Sequence, residues 1–182
     1  MNRLLALLLL FLLSPFFLIV AFFIFLEDGT PIFFTQKRVG INYTFFQLYK
    51  FRSMKKNTPN VATHLLENPE QYLLKTGTII RKLSLDELPN LFNIIKGDMV
   101  FVGPRPALYN QDDLMQMRMA AGVDQLKPGL TGWAQINGRD ELSLEDKVAF
   151  EKYYLEHKSV LFDIQIFFKT FTQAFFGSGV KH

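Results

Sequence analysis

Residues 4–26 carry no charge and are almost wholly Leu, Phe, Ile, Val and Ala. Rising ~1.5 Å per residue as a helix, this stretch of 23 residues is long enough for a hydrocarbon core of about 30 Å. A secretory signal would show a shorter apolar run and a small-x-small cleavage site, and none precedes Glu27-Asp28. Ser14-Pro15 falls in the middle. Pro15 lacks an N–H and its ring meets the carbonyl of Phe11, so a kink or break is expected there. The Ser14 hydroxyl could satisfy a freed carbonyl, such as that of Leu10. Flanking charge (Arg3 before, Glu27 and Asp28 after) leaves two outcomes open: a kinked spanning helix, or one that dips into the bilayer and returns.

Beyond this run the periods shorten. Asp28-Gly29-Thr30-Pro31 is a turn, residues 32–35 read as a short strand, 36–40 as a basic loop, and 45–51 as a second strand. Residues 57–60 form a loop, and 63–74 a helix interrupted at Asn68-Pro69. Leu88, Leu91, Phe92 and Ile95 make one apolar stripe at helical period, ended by Gly97. That helix has two candidate starts. Ser84 with Glu87 forms a capping box but puts Pro89 deep in the first turns; Asp86 as N-cap puts Pro89 where no N–H is needed, and is preferred. Residues 99–102 read as a buried strand entering the rigid turn Gly103-Pro104-Arg105-Pro106. Residues 112–121 form a short helix whose Met115, Met117 and Met119 suit packing. A charged helix covers 143–157 and an aromatic-rich one 163–176, the latter suited either to lying in the membrane interface or to core packing. The pattern predicts an α+β fold, mostly helical: a compact domain at 28–182 with a small amount of strand, carried by a membrane segment at 1–27.

Composition narrows the chemistry. The 182 residues fit one domain plus that segment, and the absence of cysteine excludes disulfides, thiolate metal sites and cysteine nucleophiles. His64, His157 and His182 stand alone, so no histidine metal site is supported. A net charge of +3 suits an anionic membrane surface or phosphorylated substrates. It is too modest, on a chain that begins in a bilayer, for a nucleic-acid binder.

The candidate chemistry gathers around Asp86 and Glu87, adjacent carboxylates at a helix start. As an N-cap, Asp86 would sit at the positive end of the helix dipole, where phosphate also collects, although capping alone explains most such acids. Lys50, Arg52, Lys55 and Lys56 form either a solvated basic turn or a phosphate clamp. Arg81 lies just upstream of the carboxylates. Arg105, held between prolines, loses little entropy on meeting an anion, though a plain surface turn reads the same way. Residues 126–139 (LKPGLTGWAQINGR) are dense in glycine, carry the one Trp and end in Arg139. They match neither a P-loop nor a dinucleotide fingerprint, and their glycines would let backbone N–H groups approach a ligand.

Together these segments resemble one family: the bacterial sugar transferases, monotopic polyprenyl-phosphate phosphoglycosyl transferases, in the small single-domain form. The likeness is carried by Ser14-Pro15, KFRSM at 50–54, RKLSLDELPNLFN at 81–93, KGDMVFVGPRP at 96–106 and KPGLTGWAQINGR at 127–139. It implies transfer of a sugar-1-phosphate from a UDP-sugar to undecaprenyl phosphate with release of UMP, the first membrane step in assembling a glycan such as an exopolysaccharide or lipopolysaccharide. It implies Asp86 as covalent nucleophile and Mg²⁺ held near Asp86 and Glu87, with Lys50, Arg52, Arg81, Arg105 and Arg139 as substrate-binding cations. It further implies that Ser14-Pro15 breaks a re-entrant helix, with both ends on the cytoplasmic face of the inner membrane. A homodimer is left open. One departure is Glu151, where relatives often carry Asp, which puts any metal or capping role there in doubt. Such chemistry needs cations, because an anionic Asp must approach an anionic phosphorus. Two rivals remain: a catalytically inactive, membrane-attached scaffold, and direct transfer in a ternary complex.

Overall fold

The computed structural model describes residues 2–59, 68–138 and 141–176. Helix α1 (Asn2–Asp28) runs through Ser14-Pro15 as one helical stretch. The Ser14 hydroxyl donates to the Phe11 carbonyl at 2.8 Å, not to that of Leu10. Phe11 is the residue whose carbonyl Pro15 cannot bond, so the hydroxyl repairs the gap at its source. One side of α1 packs on the domain through Ala6, Phe17, Val20 and Ile24. Phe17 joins Phe33, Phe51 and Phe92 in an aromatic cluster with ring centroids 5.1–6.0 Å apart. Its other side stays bare: Leu4, Phe11 and Leu18 are each more than 70% exposed (73%, 76% and 72%).

Both ends of α1 are bonded to the same domain. Near its start, Arg3 Nη2 donates to the Lys96 carbonyl at 3.2 Å. At its end, the Glu27 carboxylate accepts the N–H groups of Lys75 (2.5 Å) and Thr76 (2.9 Å), capping helix α2 (Lys75–Lys82). The next residue, Asp28, takes a short charged hydrogen bond from Arg52.

Strands β1 (Phe33–Val39) and β2 (Phe45–Phe51) form an antiparallel pair, with Phe33 opposite Phe51 and Val39 opposite Phe45. The stretch expected as a basic loop at 36–40 is therefore mostly strand. Its residues alternate, Gln36 and Arg38 half-buried and Lys37 exposed, which gives β1 a polar inner face that apolar patterning does not reveal. The free edge of β2 is closed by a side chain. Buried Asn93 accepts from the Tyr49 N–H at 3.1 Å and donates to the Gln47 carbonyl at 2.7 Å, as a neighbouring strand would.

Asn93 belongs to helix α3 (Asn90–Lys96), which begins later than expected. Neither Asp86 nor Ser84 caps it through a side chain. Ser84 stands at φ 54°, residues Leu85–Glu87 make a single 3₁₀ turn, and Pro89 precedes the first α-helical residue. Proline fits best outside the α-helical ladder, and the 3₁₀ turn removes the conflict that made Asp86 the preferred cap. Gly97 ends the helix as expected, at φ 94°.

Strand β3 (Val100–Val102) pairs in parallel with β4 (Gly129–Thr131). The glycines here admit backbone to backbone rather than ligand: a Cβ on Gly129 would lie 2.1 Å from the Gly103 nitrogen. Helices α4 (Asp112–Ala120), α5 (Trp133–Ile136), α6 (Leu144–His157) and α7 (Val160–Phe176) complete the domain. Ser143 caps α6 by accepting the Asp146 N–H at 3.0 Å. The buried Tyr154 hydroxyl donates to Asp163 at 2.7 Å beside the Val102 carbonyl, joining α6, α7 and β3. Outward on α7, Leu161 (74%) and Phe168 (64%) are bare, as on α1. Apolar surface of this extent on two helices marks association with a membrane. The architecture is α+β and mostly helical.

Candidate active site

The loop before α3, the end of β2 and the Gly103-Pro104-Arg105-Pro106 turn meet at one open cleft. Its walls include Lys50, Glu87, Asn90, Arg105 and Arg38. Lys50 Nζ lies 2.7 Å from Glu87 Oε1 and 3.8 Å from Asp86 Oδ2. Arg105 Nη1 stands 3.9 Å from the same Glu87 oxygen. Arg81 is near enough for its charge to act on Asp86, and its Nε donates to Ser53 Oγ at 2.9 Å. Three cations thus attend two carboxylates, an excess of positive charge suited to a polyanionic ligand.

Burial pushes the Asp86 carboxyl above the usual carboxylate range; Glu87 adds to this, while Lys50, Arg81 and a backbone bond oppose it. The expected placement of Asp86 as the N-cap of the helix is corrected here. No α-helix starts there, and desolvation outweighs the favourable charges. The two carboxylates nevertheless have distinct surroundings, Glu87 facing Arg105 in the cleft and Asp86 facing Arg81.

One of the predicted cations is engaged elsewhere. Arg52 is buried at 6% exposure and spends its guanidinium on Asp28 and on the Asp28 and Gly29 carbonyls, the joint between α1 and the domain. Arg139 lies outside the described residues, as do His64 and His182.

The pattern of apolar positions missed Arg38. Its Nη1 donates to the Pro106 carbonyl at 3.0 Å, its Nη2 to Gln36 Oε1 at 2.6 Å, and its buried Nε has no partner. Burial, with Arg105 close by, pushes its pKa down to about 10, and Glu87 pulls the other way. The strand alternation of Gln36 and Arg38 was the signal that could have found it.

The fit to a divalent cation can be judged from the oxygens present. Among the described residues no group of three or more His, Asp or Glu could hold a metal by itself. Asn90 Oδ1, on the same cleft wall as Glu87, is buried without a hydrogen-bond partner. Two carboxylates and an amide oxygen suit Mg²⁺, which commonly binds through one or two carboxylates completed by substrate phosphates. The residues fit a shared ion better than a closed cage.

Residues 1–177 match the family described as bacterial sugar transferase, and the chain belongs to that family. It is 41% identical over 156 residues to an uncharacterized sugar transferase, EpsL, of Bacillus subtilis, covering 86% of this chain and 76% of that protein. It is 39% identical to the exopolysaccharide production protein ExoY of Sinorhizobium fredii, covering 93% of this chain and 81% of that protein. The UDP-glucose:undecaprenyl-phosphate glucose-1-phosphate transferase of Escherichia coli is 38% identical over 94% of this chain, but that match covers only 38% of the longer protein.

Proposed function

We propose that this chain transfers a sugar-1-phosphate from a UDP-sugar to undecaprenyl phosphate through a covalent Asp86 intermediate, working on the cytoplasmic face of the inner membrane. The observation that carries this reading is the gathering of Lys50, Arg81 and Arg105 around Asp86 and Glu87, with Lys50, Glu87 and Arg105 lining one cleft. The names of relatives support it: an undecaprenyl-phosphate galactose phosphotransferase of Salmonella typhimurium is 38% identical over 164 residues.

In this mechanism Arg105 and Lys50 take the diphosphate of the donor and offset its repulsion from the carboxylates. Lys50 moves from Glu87 toward the incoming phosphate oxygens. Glu87 and Asp86 would hold Mg²⁺, which supplies charge neutralisation for the departing nucleotide. An Asp86 oxygen attacks the phosphorus that bears the sugar. A P–O–Asp86 bond forms as the bond from that phosphorus to the bridging oxygen breaks, and UMP leaves with the electron pair. A phosphate oxygen of the lipid acceptor then attacks the same phosphorus, and Asp86 is released as a carboxylate. Burial raises the proton affinity of Asp86 while Lys50 and Arg81 oppose that rise, surroundings that suit a desolvated nucleophile.

The attachment of both ends of α1 to one domain supports a re-entrant segment over a spanning one, because Arg3 and Glu27 then lie on the same side of the bilayer. Such a segment sets the cleft near headgroup depth, where a polyprenyl phosphate presents its charge.

The test uses the full-length protein in detergent with donor alone. Intact mass should rise by one sugar-phosphate on the peptide containing Asp86, with UMP released stoichiometrically and no lipid acceptor present. Donor turnover that needs the acceptor in every cycle, with no mass added, would favour ternary-complex transfer. Absence of any turnover with a panel of UDP-sugars and undecaprenyl phosphate would favour the inactive scaffold.

A further inference from the structure

Among the described residues, the most deeply buried ion pair outside the cleft is Arg118 on α4 with Glu151 on α6, exposed by 5% and 2%. Arg118 Nε donates to Glu151 Oε2 at 2.7 Å and Nη2 to Oε1 at 2.5 Å, a two-pronged contact that fixes the guanidinium plane. Desolvating two charges offsets much of their attraction, and a well-packed apolar pair would join α4 to α6 at least as well. Stability alone therefore does not account for the pair.

An apolar pair could not supply the third bond. Arg118 Nη2 also donates to the Arg105 carbonyl at 3.0 Å. That carbonyl sits in a turn whose prolines, Pro104 and Pro106, can donate nothing. Four successive carbonyls of the turn are each taken by a donor from another segment: Pro104 by the Gly129 N–H (2.8 Å), Arg105 by Arg118, Pro106 by Arg38 (3.0 Å) and Ala107 by the Val39 N–H (3.0 Å). Among these, Arg118 alone is itself locked by a buried carboxylate. The same turn aims the Arg105 side chain to 3.9 Å from Glu87.

We infer that Arg118 and Glu151 form a positioning unit that fixes the backbone of Arg105, and thereby the placement of its guanidinium on the donor diphosphate. The inference rests on the proposed donor chemistry of the cleft. It also gives Glu151 a role apart from metal binding: the carboxylate orients an arginine that orients another.

The test replaces the pair together, Arg118→Met with Glu151→Met, in the full-length enzyme, since either single change leaves a lone buried charge and endangers folding. The expected result is a melting temperature close to wild type and a rise in KM for the UDP-sugar of roughly 10- to 100-fold, the scale that a misplacement of about 1 Å produces. On that background Arg105→Ala should cost far less than it costs wild type, because a misplaced guanidinium has little left to lose. Hydrogen exchange reads the turn without substrate: a peptide covering residues 101–109 should exchange faster in the double variant while α6 and α7 keep their protection. Unchanged exchange in that peptide, or wild-type donor kinetics in a folded double variant, overturns the inference. Altered exchange with no donor turnover by wild type supports the positioning role and overturns the reading of the site instead.

Discussion

One ammonium serves both carboxylates: Lys50 Nζ is 2.7 Å from Glu87 and 3.8 Å from Asp86. It sits at the end of a strand whose edge is fixed by Asn93, so its reach is set by the same helix that follows the carboxylates. Its charge is the strongest of the influences that oppose burial at Asp86. Lys50→Met should therefore move the acidic limb of the pH–rate profile for kcat/KM to higher pH, with a greater loss at pH 6 than at pH 8. A limb that stays in place would show that Asp86 is not the group titrating in it.

Asp86→Asn should separate stability from chemistry. Burial is the leading cause that raises the Asp86 pKa, so the folded state holds the proton more tightly than the unfolded state. The favourable contribution of this group is full below the ordinary carboxylate range and is lost as pH rises through its raised value. Above that raised value the wild type carries a charge that burial disfavours. The Asn variant should melt higher than wild type at pH 7, with the gap closing toward pH 3, and should release no UMP from donor. Thermal melts across that range, run beside the UMP assay, check both halves.

Arg52 should behave as a structural residue despite its place in a basic cluster. Its hydrogen bonds go to Asp28 and Gly29. Arg52→Met should lower stability by about 2 kcal/mol, the scale for hydrogen bonds to charged groups, and leave the KM for UDP-sugar unchanged. Urea or thermal unfolding gives the first number and steady-state kinetics the second. A selective rise in KM would return Arg52 to the binding site.

The contrast between Lys50 and Arg52 marks what could be read from the chain alone. Residues 50 and 52 lie in one basic motif, and only tertiary contact says which of them faces the carboxylates. Local signals fared better. Strand β2 and the Gly97 stop follow directly from alternation and backbone freedom. The start of α3 was misplaced because Ser84, Asp86 and Pro89 each imply a different helix boundary, and a single 3₁₀ turn satisfies Pro89 without using either cap. Arg38 was hidden in a strand that looked like a loop. The bond between Arg118 and Glu151 crosses 33 positions of chain and leaves no local trace.

Gly77→Ala should disturb both folding and activity. A Cβ at Gly77 would stand 2.0 Å from the Ser53 carbonyl oxygen, a backbone atom that cannot rotate away. The cost should be about 1–3 kcal/mol, as for overpacked sites. Because Ser53 Oγ receives the Nε–H of Arg81, the shift should also reach the Asp86 side of the site. Reduced kcat in a variant that still folds at 20 °C is the expected reading. An unaffected melting temperature would mean that α2 can slide away from β2.

The path of α1 can be settled by chemistry, since the chain has no cysteine to confuse the labelling. Asn2 and Glu145 are both exposed, the first at the start of α1 and the second on α6 of the domain. Arg3 bonds to the Lys96 carbonyl, which ties the beginning of α1 to the end of α3. A spanning helix would break that bond and carry Asn2 to the far side of the bilayer, about 40 Å from the end of α1 at ~1.5 Å per residue. Asn2→Cys and Glu145→Cys, made singly and reconstituted in sealed vesicles of known sidedness, should be modified by a membrane-impermeant maleimide from the same side. Labelling from opposite sides would establish a spanning helix, and the cleft would lose the second anchor that fixes its depth. Arg3→Ala sharpens the test. With re-entry intact, it should loosen α1 and raise the exchange of the first helical turns while the Glu27 cap on α2 holds the other end in place.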